Sequence, residues 1–405
     1  MTVPQFNHAC TVCNSLALKT IIDFGEQPPA NRFLAQDFCQ TQQSTHALAL
    51  GYCEDCDTSQ LTQRMPIDAI RPQFHWLIYN EPEGHLDKIA EQLFQLPGIT
   101  PDSKILGVTY KDQSTINRLI KLGLPQSQCI AEQDFKCTAQ FFGLETIQQL
   151  LRDPKVMADL KTKYGAADMV ILRHVIEHSD DATALIAAIR HLLTPNGYLV
   201  MELPDSENIL KSGNHAFIWE EHISYFTEQS LAALANAAGA EIAWFQRCSY
   251  PYEDSLLVAF QFSSLKSESK TQPVLSESAI LLENFKNELT HAQREWRQLL
   301  ISYRKEGKKI AVFGAGHLAV KFINFFELSD YLDCVIDDNP HKAGMKMPGS
   351  CLPIEPSKVL SEQEITLCIS TLSPESDSKV RQKLSAYFEG GGLMIPAFKM
   401  KVPQS

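Results

Sequence analysis

Between about residues 103 and 262, short apolar runs alternate with stretches whose apolar residues fall at helical spacing. KILGVTY, QCIAE, ADMVILRHV, GYLVMELP and SLLVAFQF have the composition of strands. DATALIAAIRHLL and EQSLAALANAAGA lie among them and carry a helix period. Alternation of this kind predicts an α/β fold built on a doubly wound sheet. Ahead of it, 66–100 is expected to be helical and connecting, with HLDKIAEQLFQL amphipathic. Behind it, SSLKSESKTQPVLSES (263–278) is polar and linker-like. A long amphipathic helix is predicted over about 277–305, and KKIAVFGAGHLAVKFINFF then opens a second α/β unit. Residues 1–65 form a small loop-and-strand module, so the expected divisions are 1–65, 66–265 and 266–405.

Charge narrows the partners. A net charge of −12 over 405 residues argues against sequence-independent binding to nucleic acid or an anionic membrane. No apolar run approaches the roughly 18 residues of a membrane span. The start, MTVPQFNHACTVC, lacks the basic and apolar parts of a secretory signal, so a cytoplasmic location is expected. Eleven cysteines in such a chain favour reduced thiols and metal ligation over a disulfide framework.

Four of those cysteines are paired. CTVC (Cys10, Cys13) and CEDC (Cys53, Cys56) are two C-x-x-C knuckles, each able to give one ion two thiolates. Four thiolates close a tetrahedral zinc site with no open position, which makes the site structural. Metal binding would then supply folding free energy that so small a module cannot draw from its core. A pair of redox dithiols is the alternative.

Two turns have the position of nucleotide sites. VFGAGHLA is a strand, then Gly314-x-Gly316-x-x-Ala319, then a helix, and Asp337 and Asp338 end the next strand. Glycines let a backbone approach phosphate, a helix N-terminus faces the anion, and an acid meets a ribose hydroxyl. A tight turn that binds nothing has the same pattern. The second turn, SKILGVTYKDQSTINRL, offers only Gly107 before Thr109, Tyr110, Lys111, Asp112 and Gln113. Glu132, in CIAEQD, stands where a carboxylate could hold a ribose diol.

An acid–base constellation follows. RHVIEHSDD places Arg173, His174, Glu177, His178, Asp180 and Asp181 at a strand end, where open α/β sheets bind ligands. WEEHISYFT adds Glu220, Glu221, His222 and Tyr225. Histidine beside carboxylates suits proton abstraction near neutral pH.

These motifs, in order along nearly the whole chain, resemble the deoxysugar C-methyltransferases that act on nucleotide-linked ketosugars. CTVCNS…IIDFGEQPPANRF, FFGLETI, ADMVILRHVIEHSDD, GYLVMELPD, EEHISYFT, FGAGHLAVKF and VIDDNPHKAGMKMPGSCLPIEPSKVL carry the resemblance. It implies a zinc-binding module over 1–65, a class I methyltransferase-like domain over 66–265, and a linker helix with a Rossmann-like domain over 266–405. It also implies structural zinc, S-adenosylmethionine and a nucleotide-sugar substrate. Deprotonation beside a carbonyl and methylation of the carbanion would be the reaction. On this resemblance His222 is the base, Glu221 its companion, and His178 and Tyr79 further catalytic residues. Gly107, Asp112, Glu132 and His174 map to the cofactor. Asn31, Tyr225, Gly314, Gly316, His317 and Asp337 map to the substrate.

The chain departs from that family at three places. Trp219-Glu220-Glu221-His222 stands for Tyr-His-Glu-His, and Tyr252-Glu253-Asp254-Ser255-Leu256 for His-Gly-Gly-Ser-Leu. In the cofactor turn Gly107, Thr109 and Gln113 replace a glutamate and two glycines, and Asp112 is kept. Side chains at turn glycines are expected to strain the loop or crowd the cofactor. Three readings therefore stand: a C-methyltransferase, an enzyme on the same scaffold that no longer methylates (epimerase, isomerase or lyase), and a non-catalytic binding protein.

Overall fold

The computed structural model describes residues 8–37, 43–76, 83–139, 143–262 and 276–399, and these build three sheets. The central sheet has the order β5-β4-β6-β7-β10-β9. Its strands are β4 (Ile105–Gly107), β5 (Ser127–Cys129), β6 (Ala167–Arg173), β7 (Leu193–Asp205), β9 (Glu241–Cys248) and β10 (Asp254–Gln261). The first four run parallel, and β10 is antiparallel to both β7 and β9. Strand β6 shows why the sheet must be covered twice. It sends Val170 and Leu172 into one core and Met169 and Ile171 into the other. Strand order reverses beside β4, so the crevice at the carboxyl ends of β4 and β6 is the expected ligand site.

Three strands of the N-terminal sheet, β1 (Leu18–Gln27), β2 (His46–Cys53) and β3 (Ser59–Gln63), form an antiparallel meander. The fourth, β8 (Ser224–Tyr225), comes from the central region and pairs with β3. This sheet therefore crosses the division expected at residue 65. The C-terminal sheet is parallel, with the order β13-β12-β11-β14-β15. It contains β11 (Lys309–Phe313), β12 (Cys334–Ile336), β13 (Ile354–Glu355), β14 (Ile365–Ser370) and β15 (Leu393–Pro396).

The long helix runs Glu277–Lys305, as its apolar period predicts, and packs on β1 and β2. The Ser276 hydroxyl accepts from Ala279 N–H and caps its start. KILGVTY forms a strand only to Gly107, because Thr109 caps the short helical turn that follows. EIAWFQRC, not anticipated as a strand, forms β9 at the sheet edge. No helix among the described residues is long and apolar enough to cross a membrane.

Candidate functional site

The two knuckles close on each other. Each turn ends in a left-handed residue, Asn14 (φ 59°) and Asp57 (φ 56°). Asn14 N–H donates to Cys10 O and Asp57 N–H to Cys53 O. All four sulfurs lie within 4.8 Å of one another, with Cys10–Cys56 at 3.5 Å and Cys13–Cys53 at 3.6 Å. Four ligands about 2.3 Å from a tetrahedral zinc ion sit near 3.8 Å apart, so the set fits zinc. Gln60 Nε2–H (3.1 Å) and Val12 N–H (3.4 Å) donate to Cys10 Sγ, as a thiolate requires.

The knuckle is also stitched to the rest of the site. Thr11 Oγ1 bonds Ser224 Oγ at 2.8 Å, and Ala182 N–H donates to Thr11 O. Leu61 N–H donates to Ile223 O, and Ile223 N–H to Glu177 O. The segment carrying His222 is thus held between the zinc module and the loop after β6.

The turn after β4 is closed by Asp112. One of its carboxylate oxygens accepts from Val108 N–H (2.8 Å) and Thr109 N–H (2.7 Å), the other from Arg173 N–H (2.8 Å). Burial pushes its carboxyl up to about 6. No residue from 107 to 113 has a positive φ, so Thr109 and Gln113 stand in the place of glycines without backbone strain. The expected strain is absent because a capped helical turn replaces a wide glycine loop. Gly107 is needed for packing: a Cβ there would lie 2.7 Å from Cys129 Sγ and 2.8 Å from Asp112 Cβ. Gly107 and Asp112 therefore hold the turn from behind and do not line the cavity in front of it.

That cavity, about 500 Å³, lies at the carboxyl ends of the parallel strands. Its lining falls into two sets. Val108, Ile130, Phe135, Leu144 and Ile147 are apolar and accompany Glu132 and the turn Thr109–Lys111. His174, Glu177, His178, Trp219, Glu221, His222 and Glu253 form the second set, which holds the imidazoles and most of the carboxylates. The His178 and His222 rings meet edge to face at 4.9 Å, and Trp219 lies 5.1 Å from His222. Burial, with the charges of Glu220 and Glu145 beside it, holds Glu221 well above the usual carboxylate range and disfavours its ionised form. Asn31 Nδ2–H donates to Glu221 Oε1 at 3.1 Å, and the Tyr225 hydroxyl accepts from Trp219 N–H at 2.8 Å. Asn31 and Tyr225 therefore position the cavity wall and are not part of its lining. Tyr79 lies outside the described residues.

Behind the wall is a buried charge cluster that the sequence reading missed. Glu202, at 1% exposure, lies in the last stretch of β7, three residues before its end at Asp205. Arg173 Nε lies 2.5 Å from its Oε2, and His85 Nε2 lies 2.7 Å from its Oε1. Burial opposes ionisation of Glu202. The His85 hydrogen bond and the charges of His174 and Arg173 overcome that and hold it down to about 2, below the 4.5 of a free glutamate. A depressed acid stabilises the fold above its unfolded pKa, and that contribution is lost as pH falls toward the folded value. Wild type and Glu202→Gln should therefore differ most above pH 4.5 and converge toward pH 2. The convergence is worth about 3 kcal/mol and is read by denaturant titration at stepped pH.

The C-terminal turn meets this wall from outside. Gly314 (φ 99°) has no room for a Cβ, which would lie 2.8 Å from Leu372 Cδ2. Gly316 caps the helix His317–Phe325, and the His317 ring stacks on Trp219 at 4.3 Å. The Asp337 carboxylate accepts from Ala315 N–H (3.0 Å) and Lys342 Nζ–H (2.8 Å), which braces the turn. From the same helix Lys321 reaches Glu220 Oε2 at 2.5 Å, and both side chains are 0% exposed. A lysine inside the apolar run AVKFINFF was the signal for that buried pair.

Three family models match the chain in succession. A zinc binding domain covers 10–70, a methyltransferase domain 85–243, and a C-methyltransferase C-terminal domain 265–398. The C-methyltransferase NovU of Streptomyces niveus is 20% identical over 371 residues, 85% of this chain and 84% of NovU. Among solved structures, the N-methyltransferase NodS of Bradyrhizobium japonicum with S-adenosyl-L-homocysteine covers 46% of this chain and 91% of its own, at 13% identity and TM-score 0.26. The 1,6-didemethyltoxoflavin-N1-methyltransferase of Burkholderia thailandensis covers 45% and 78%, at 13% identity and TM-score 0.28. These domains in this order, with a relative similar over most of both chains, give the chain the make-up of an S-adenosylmethionine-dependent C-methyltransferase.

Proposed function

We propose that the cavity methylates carbon beside the carbonyl of a nucleotide-linked ketosugar. One observation carries the reading. The candidate base His222 and the candidate ribose acid Glu132 line a single cavity, together with the turn after β4. Its volume of about 500 Å³ falls within the usual range for small-molecule sites.

S-adenosylmethionine supplies the methyl group when bound. Phe135, Leu144, Ile147 and Ile130 would hold its adenine in an apolar slot, and Glu132 would accept from its ribose hydroxyls. Glu221, whose ionised form burial disfavours, would in its protonated form donate a hydrogen bond to the substrate carbonyl oxygen and favour charge on it. His222 removes the neighbouring proton. His178 and Trp219 hold its ring in place from two sides.

Purified protein should transfer labelled methyl from S-adenosylmethionine to a nucleotide-linked ketosugar. His222→Ala should lower that rate at least about a hundredfold, with cofactor affinity retained. Glu132→Ala should instead weaken S-adenosylmethionine binding about tenfold to a hundredfold by calorimetry. Solvent deuterium entering the sugar without cofactor binding would move the assignment to a non-methylating enzyme on this scaffold. Neither exchange nor binding would leave only a binding protein.

A further inference from the structure

Methylation leaves one proton behind per turnover. The C–H bond breaks, its electron pair forms the new C–C bond, S-adenosylhomocysteine departs, and the proton stays on the His222 imidazole. With substrate and cofactor filling the cavity, that proton needs a way out other than the mouth.

The groups behind His222 form a line. The Glu177 carboxylate lies within 4.8 Å of His178 and His222 nitrogens, a span that one water or a small rotation closes. Glu177 is 1% exposed, and neither of its oxygens has a hydrogen-bond partner. On its other side, 3.5 Å away, is His174 Nδ1. His174 Nε2 is 3.7 Å from Glu202 Oε1, the same oxygen that His85 Nε2 meets at 2.7 Å. His85 Nδ1 bonds the Tyr250 hydroxyl, and both residues line a second cavity of about 380 Å³. That cavity lies between the start of the helix Leu86–Phe94 and strand β9, and it shares no lining residue with the first. His174 has φ 53°, a conformation a histidine keeps only where its surroundings enforce it. Its N–H donates to Glu202 O at 2.7 Å, which fixes the ring between the two carboxylates.

We infer that Glu177, His174, Glu202 and His85 conduct the abstracted proton from His222 to water in the second cavity. The inference rests on His222 acting as the base. Each imidazole takes a proton at one nitrogen and releases one from the other, so the proton crosses without moving heavy atoms, and each ring must return to its first tautomer before the next turnover. Arg173, beside Glu202, keeps that carboxylate an acceptor.

The test follows solvent deuterium into nucleoside-diphosphate ketohexoses (thymine or uracil as base) with S-adenosylhomocysteine bound. His85→Gln keeps a hydrogen bond to Glu202 but cannot relay, and should slow exchange at least tenfold, with S-adenosylhomocysteine affinity unchanged. His85→Ala should be as slow, and added imidazole should restore it severalfold by entering the enlarged second cavity. Imidazole should not restore His222→Ala to the same extent. His85→Gln exchanging at the wild-type rate overturns the relay and leaves the base intact. Wild type exchanging no ketohexose removes the base, and the relay with it.

Discussion

Stripping the four-cysteine site, by Cys53→Ser or by a strong chelator, is expected to unravel the N-terminal sheet and with it the cavity. Structural zinc in small modules contributes about 10–16 kcal/mol of folding free energy. Here the module holds more than itself. Strand β3 pairs with β8, Thr11 bonds Ser224, and Leu61 fixes Ile223, next to His222. The long helix is pinned to the second knuckle as well, since Ser278 Oγ–H donates to Asp57 O at 2.6 Å. Metal analysis should give one zinc per chain in the wild type and much less in the variant. Limited proteolysis should then cut within 8–65, and S-adenosylmethionine affinity should drop. A zinc-free chain with unchanged protease resistance and cofactor affinity would refute the structural role.

Lys321→Met is expected to cost about 3–5 kcal/mol. It strands the Glu220 carboxylate in a fully buried place, with only the Ala30 N–H left to it among the described residues. The pair joins the C-terminal helix to the residue beside Glu221, so the loss should also loosen the segment that carries Glu221 and His222. Lys321→Met combined with Glu220→Leu removes both charges and should recover much of the stability, because a buried ion pair is worth little more than well-packed apolar groups. Denaturant midpoints for both singles and the double close a cycle. Single variants within about 1 kcal/mol of wild type would show that water reaches the pair.

Parts of this molecule are legible in its residues and parts are not. The zinc site is legible because C-x-x-C spacing by itself fixes which sulfurs can meet. The long helix and the parallel strands follow from periodicity, which records the face each residue must bury. Glu202 and His85 are harder to see. Their 2.7 Å contact joins positions 117 residues apart, and no local pattern encodes such a meeting. The same holds for Lys321 and Glu220, although an ammonium in an apolar helix already demands a buried partner. The turn after β4 misleads in another way. Missing glycines suggest strain, yet the Asp112 side chain lets ordinary residues make a turn with negative φ throughout.

Because β8 belongs to a sheet made mostly of N-terminal strands, the catalytic portion has no clean cut on its amino side. Chimeras that exchange this portion between relatives must carry the cysteine strands along. Otherwise they leave Ser59 and Gln60 facing a foreign edge. The smallest exchangeable piece thus includes β8 together with the cysteine-bearing strands.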